Sequence, residues 1–93
     1  MKYICNAFSL QMVKDFPCHL NIEEVASFPA DCQSAVGHQD TANVLGVEMN
    51  RVNLSIGPED ELYVAQLQGG RLPEGSTTLP EGFTFRFLKV TIA

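Results

Sequence analysis

Ninety-three residues suit a single domain, residues 1–93, and leave no room for two. The hydrophobic share of 45% argues for a packed core and against disorder, and the formal charge of −5 weighs against a protein that tracks DNA or long RNA. A small anionic ligand is not excluded, because a few converging arginines dominate a pocket whatever the net charge.

In chain order, "KYICNA" reads as a first strand rich in β-formers. Ser9 is placed to cap the short segment "LQMVKDF", which Pro17 stops. "CHL" reads as a brief second strand. Asn21 followed by Glu24 in "NIEEVASF" has the spacing of a capping box, so a short helix is expected there, closed by Pro29. "QSAVG" is a third short strand, and residues 39 to 47 form a helix weakened near its end by Gly46. In "RVNLSI", Val52, Leu54 and Ile56 face one way and Arg51, Asn53 and Ser55 the other. The turn cluster "GPED" joins it to "ELYVAQL", which predicts a hairpin. A long loop dense in Gly and Pro spans 68 to 82, and "FTFRFLKVTI" is a last strand, apolar on both faces. The fold class is α/β: one mixed sheet of about five or six strands, flanked by short helices. A domain this small buries a limited fraction of its surface, which favours a dimer.

Cys5, Cys18 and Cys32 are odd in number and contain no CxxC pair, so free thiols in a reducing cytoplasm are expected. No His/Cys/Asp cluster has metal-ligand spacing, and no glycine pattern fits a P-loop or dinucleotide fold; neither metal nor cofactor is expected. "MKYICNAFSL" is too short and too polar for a secretory signal, and no run reaches the length of a membrane span.

The chemistry-bearing stretch is "SAVGHQDTANV". His38 falls where a helix begins, a position with free N–H groups suited to phosphate. By position alone, a surface histidine serving a turn is the better account. Arg51 and Arg71 are side chains suited to bidentate phosphate contacts; the alternative is solvated charge, with Arg71 and Glu74 forming a weak exposed pair. Asn6 and Ser9 follow the first strand, at an edge where ligand clefts form in α/β proteins, although Ser9 also serves as a helix cap. His19 has no evident partner and reads as structural or exposed.

Taken in order, "YICNAFS", "SAVGHQDTANVLGVEMNRV" and "LYVAQL…RLPEG" resemble the small viral anti-CRISPR ring nucleases of type III systems and their CRISPR-associated bacterial relatives. The resemblance covers most of the chain. It implies a homodimer that binds cyclic tetra-adenylate, the second messenger of type III CRISPR defence, across the dimer interface and linearises it in the cytoplasm of a prokaryotic host. On this resemblance His38 is catalytic, with Arg71 and Glu74 beside it, while Asn6, Ser9, Gly37 and Arg51 fall on the ligand-binding edge. The implied activity is a metal-independent phosphodiesterase in which the ribose 2′-OH is the nucleophile, with neither DNA, long RNA nor membrane as partner. Two other readings use the same residues differently: a dimer that sequesters the ring without cutting it, and a ligand-free interaction protein of a virus or mobile element.

Overall fold

The computed structural model describes residues 1–93. Its strands are β1 (Lys2–Cys5), β2 (Leu20–Val25), β3 (Gln33–Ser34), β4 (Glu61–Gln68) and β5 (Thr84–Ile92). One α-helix, α1, spans Gln39–Leu45, and a single 3-10 turn spans Leu10–Met12. The strands form one mixed sheet in the order β2-β5-β4-β1-β3. β1 runs parallel to β3 and β4, whereas β5 is antiparallel to both β4 and β2.

The central strand explains the layering. In β4 the side chains alternate between two apolar layers, as the twofold period of a strand requires. Leu62 and Val64 join Cys5, Leu54, Ile56 and Val90 in one layer, with Phe8 and Met12 packed against it. Tyr63 and Ala65 join Ile4, Val36 and Ala42 of α1 in the other, with Leu45, Phe85 and Phe87 packed against it. Phe87 also meets Phe28 at 5.5 Å between ring centroids, which seals the outer part of this layer. Burial in the first layer pushes the Cys5 thiol up to about 11.

The turn before β4 is held by Asp60, whose carboxylate accepts the Gly57 N–H at 2.9 Å and the Met1 amine at 3.0 Å. The Gly57 bond, ahead of the amine, holds the Asp60 carboxyl below its ordinary range. Beside it, Tyr63 donates its hydroxyl to Glu61 at 2.8 Å, and Lys89 lies 3.2 Å from the same carboxylate. Burial first, and Glu61 second, push the Tyr63 phenol up to about 12.

Several sequence expectations change. The helix expected over "NIEEVASF" is instead β2, six residues in register with β5 from Leu20↔Ile92 to Val25↔Phe87. A capping box contributes ~1 kcal/mol, and a ladder of backbone bonds outweighs it. The acids that suggested helix chemistry serve the ladder: Glu23 lies opposite Lys89, and Glu24 pairs with Arg86. The brief strand expected at "CHL" begins only at Leu20 and belongs to β2. "QSAVG" shortens to Gln33–Ser34 and the helix ends at Leu45, where Gly46 closes it in the left-handed conformation at φ 74.

"RVNLSI" forms no hairpin with β4. Leu54 and Ile56 turn inward as the alternation required, but Val52 is exposed. Ile56 bridges Val13 instead, with Lys14 N–H donating to the Ile56 carbonyl at 3.0 Å and Ile56 N–H to the Met12 carbonyl at 2.8 Å. The hairpin partner of β4 is β5, across the long 69–83 connection.

Candidate functional site

A cleft of about 1070 Å³ opens at the end of the sheet where β1 and β4 finish. Its polar walls are Asn6, His38, Gln39, Asp40, Thr41, Arg51, Arg71 and Glu74, and its apolar lining is Met49, Leu67 and Leu72. Asn6, His38, Arg51, Arg71 and Glu74, which lie far apart in the sequence, are therefore brought together.

Each is placed by a separate device. His38 is the residue before α1, with extended backbone (φ −120, ψ 124) and a carbonyl that accepts the Ala42 N–H at 3.0 Å. Its imidazole makes no capping bond, so the ring is not consumed by the helix end. Gly37 is clasped from both sides: its N–H reaches the Asn6 Oδ1 at 3.5 Å, and its carbonyl accepts the Arg51 Nε–H at 3.0 Å. Arg51 comes from a segment that follows the exit from β3, since Asn50 N–H donates to the Val36 carbonyl at 2.9 Å. Arg51 thus opens no strand; it lies beside the chain that delivers His38.

Arg71 and Glu74 come from the strap between β4 and β5. Gly69 and Gly70 start it at φ 116 and 125, and Leu72 is its buried anchor. Pro73 and Ser76 form a turn, with Ser76 Oγ donating to the Pro73 carbonyl at 2.6 Å. The exposed Arg71–Glu74 ion pair is not formed.

The charge distribution is informative. Of the six Lys and Arg residues, Lys2, Arg86 and Lys89 face carboxylates, on Asp31, Glu24 and Glu61. Arg51 and Arg71 have no carboxylate partner, and both line the cleft with His38. A guanidinium left unpaired in a concave site is suited to an oxyanion. α1 is only seven residues long, so its end adds little to anion binding and the arginines carry it.

Ser9 and Gly37, the other residues assigned to the ligand edge, lie apart from the cleft walls. Ser9 lies outside the cleft walls; its hydroxyl accepts the Gln11 N–H at 3.3 Å and caps the 3-10 turn. Gly37 keeps ordinary backbone geometry, the positive-φ glycines being Gly46, Gly69, Gly70, Gly75 and Gly82. The sequence reading missed Gln39, Asp40 and Thr41, although all three follow His38 directly and only a helix start was needed to face them to the cleft. It also missed Met49, Leu67 and Leu72, which are apolar residues indistinguishable by type from core.

No group of three or more His, Cys, Asp or Glu side chains is arranged to hold a metal ion. No helix is long and apolar enough to cross a membrane.

The fold and cleft define a one-domain α/β protein with an arginine- and histidine-bearing pocket at one end of a five-stranded mixed sheet. The family model described as STIV B116-like matches residues 2–84, and the chain belongs to that family. Among solved structures, the chain is similar to B116 of Sulfolobus turreted icosahedral virus, at a TM-score of 0.75 and 22% identity over 97% of both chains. At that identity the likeness is one of fold. No curated protein matches the sequence.

Proposed function

We propose that the protein is a ring nuclease: it binds cyclic tetra-adenylate and linearises it, thereby silencing the messenger of type III CRISPR defence in the cytoplasm of a prokaryotic host. The observation that carries this reading is the pair of carboxylate-free guanidiniums, Arg51 and Arg71, set in one cleft with an imidazole that caps nothing. The resemblance of "YICNAFS", "GHQDTA" and "RLPEG" to ring nucleases supports it, and membership in a family with a viral namesake is compatible with an anti-CRISPR role.

The chemistry needs little beyond these residues. In RNA the ribose 2′-OH is its own nucleophile, so holding it in line with the phosphate is a large part of catalysis. The 2′-oxygen attacks phosphorus, the P–O5′ bond breaks, and the product ends in a 2′,3′-cyclic phosphate. The departing 5′-oxygen takes its proton from His38, an imidazole being the side chain suited to proton transfer near neutrality. Arg51 and Arg71 hold the phosphate and stabilise the charge that develops on it. Glu74 takes the 2′-OH proton or orients Arg71. One protomer supplies one such set, and a four-phosphate ring with twofold symmetry matches two copies, so the working form is a homodimer.

A sequestering protein would use the same arginines without needing His38. Incubating the purified protein with cyclic tetra-adenylate and excess EDTA, then weighing the products, separates the two. Linear fragments with cyclic-phosphate ends support the nuclease; intact ring recovered from a tight complex supports sequestration; neither binding nor cutting sinks both.

A further inference from the structure

Two of the cleft's walls come from pieces of chain that the sheet does not join directly. The start of α1 carries His38, and the strap 69–82 carries Arg71 and Glu74. Along the strap only Leu72 is buried, and glycines at positive φ stand at both ends, Gly69 and Gly70 on one side and Gly82 on the other. Such a segment has low local stability and opens without disturbing the sheet.

Two hydrogen bonds tie the strap to the body, and both go to α1. Asp40 Oδ1 accepts the Gly75 N–H at 3.1 Å. Asn43 Nδ2 makes a longer contact, 3.5 Å, to the Ser76 carbonyl, and its own Oδ1 is held by Gln39 Nε2 at 2.7 Å. Asp40 is two residues from His38, and Gly75 is the residue after Glu74. A charged acceptor makes the Asp40 bond the stronger of the two.

We infer that Asp40 is a positioning residue: its carboxylate latches the strap to the first turn of α1 and so sets Arg71 and Glu74 opposite His38. The inference deepens the ring-nuclease reading and rests on it for its catalytic consequence, though not for the latch itself. One charge-assisted hydrogen bond and one longer contact, both exposed, hold the strap without locking it, which lets a bulky ring enter and the strap return. Asp40 acts through Gly75 and needs no contact with the ligand.

The test has two arms on the full chain. The first measures amide hydrogen exchange without ligand in the wild type, Asp40→Ala, Asp40→Asn and Asp40→Ser. The second measures binding and single-turnover cleavage of cyclic tetra-adenylate in EDTA. Losing the latch should raise exchange at the Gly75 and Ser76 amides by roughly tenfold in Asp40→Ala while β4 and β5 stay protected. Asp40→Asn keeps an oxygen acceptor for the Gly75 N–H and should restore protection. Cleavage should fall roughly 10–100-fold in Asp40→Ala through misplacement, and Asp40→Asn should recover most of it. Should Asp40→Ala fail to fold, Asp40→Ser decides, its shorter side chain losing the reach to the Gly75 N–H: faster exchange confined to the strap supports the latch, and unchanged exchange overturns it. Unchanged strap exchange in a folded Asp40→Ala also overturns the inference. So does an Asp40→Asn variant that has an ordered strap yet cuts as poorly as Asp40→Ala, because the charge would then act on the ligand. A wild type that leaves the ring intact sinks the nuclease reading alone, and the exchange arm still judges the latch.

Discussion

Arg51 donates its Nε–H to the carbonyl of Gly37 at 3.0 Å, which couples a cleft-lining guanidinium to the residue before His38. One nitrogen of the guanidinium is spent on position, and the other two are left for a ligand. Lysine has the charge but not the planar fork, so it cannot serve both ends. Arg51→Lys is therefore expected to weaken binding of cyclic tetra-adenylate about tenfold and also to slow single-turnover cleavage, because His38 loses a fixed neighbour. Calorimetric titration and a quench-flow time course measure the two effects. A lysine variant with wild-type affinity and rate would show that the Gly37 bond positions nothing.

Gly69 and Gly37 make opposite demands. At Gly69, φ is +116 and an added Cβ would sit 2.9 Å from the Gly82 carbonyl oxygen. Gly69→Ala should cost about 1–3 kcal/mol from backbone strain and crowding, or several degrees in melting temperature. At Gly37 the backbone is ordinary and the nearest atom to an added Cβ is Arg51 Cγ at 3.6 Å, so Gly37→Ala should stay within about 0.5 kcal/mol. Thermal melts of the two variants side by side check the contrast.

Asp60 predicts an acid limb in stability. Its folded carboxyl titrates below its ordinary range, chiefly because it accepts the Gly57 N–H. The folded state thus binds this proton more weakly than the unfolded chain, whose aspartates titrate near 3.9. The stabilisation is present above about pH 5 and is lost as pH falls through the folded value. Asp60→Asn should therefore be less stable than wild type at pH 7, and the gap should close below roughly pH 4. A gap independent of pH in urea titrations would place the effect on shape rather than charge.

The parts of this molecule legible in the sequence are those whose residues speak locally. "ELYVAQL" and "FTFRFLKVTI" are too rich in β-formers and apolar side chains to be anything but central strands, and they pair as β4 and β5. His38 before a helix start was visible from the glycine and the polar run around it. What failed depended on distant partners. Asn21 and Glu24 carry a capping pattern, yet the ladder to β5, where they lie opposite Thr91 and Leu88, makes them strand. "RVNLSI" alternates correctly, yet Ile56 finds Val13 rather than β4, since β1 and β5 already occupy both edges of β4. In the site, charged residues were found by chemical type, whereas Leu67, Leu72 and Met49 required the cleft to exist first. The capping role of Ser9 was legible from its place before "LQMVKDF", whereas its lying outside the cleft walls needed the fold.

The oligomeric state has a direct check. Leu10, Phe16, Ile22 and Val52 are large apolar side chains left exposed on a single chain, and the proposed function calls for two copies of the cleft. Sedimentation or light scattering at micromolar concentration should give a dimer. A monomer both with and without cyclic tetra-adenylate would count against the proposed two-copy site.

His38 separates enzyme from sponge. General acid catalysis contributes ~10²–10⁴-fold, so His38→Ala should lower single-turnover cleavage by about that factor. Binding should suffer much less, because Arg51 and Arg71 still hold phosphate, and one bond to a charged group is worth roughly 1.5–3 kcal/mol at most. Arg71→Ala should weaken both binding and rate, since a phosphate clamp acts in the ground state and the transition state alike. The two variants thus have distinct signatures in one experiment that measures affinity and rate separately. His38 makes no capping bond and stands exposed in the cleft, so no structural duty masks the result. If His38→Ala cuts at the wild-type rate, the imidazole is a turn residue, and the arginines are the binding site of a protein that holds the ring without cutting it.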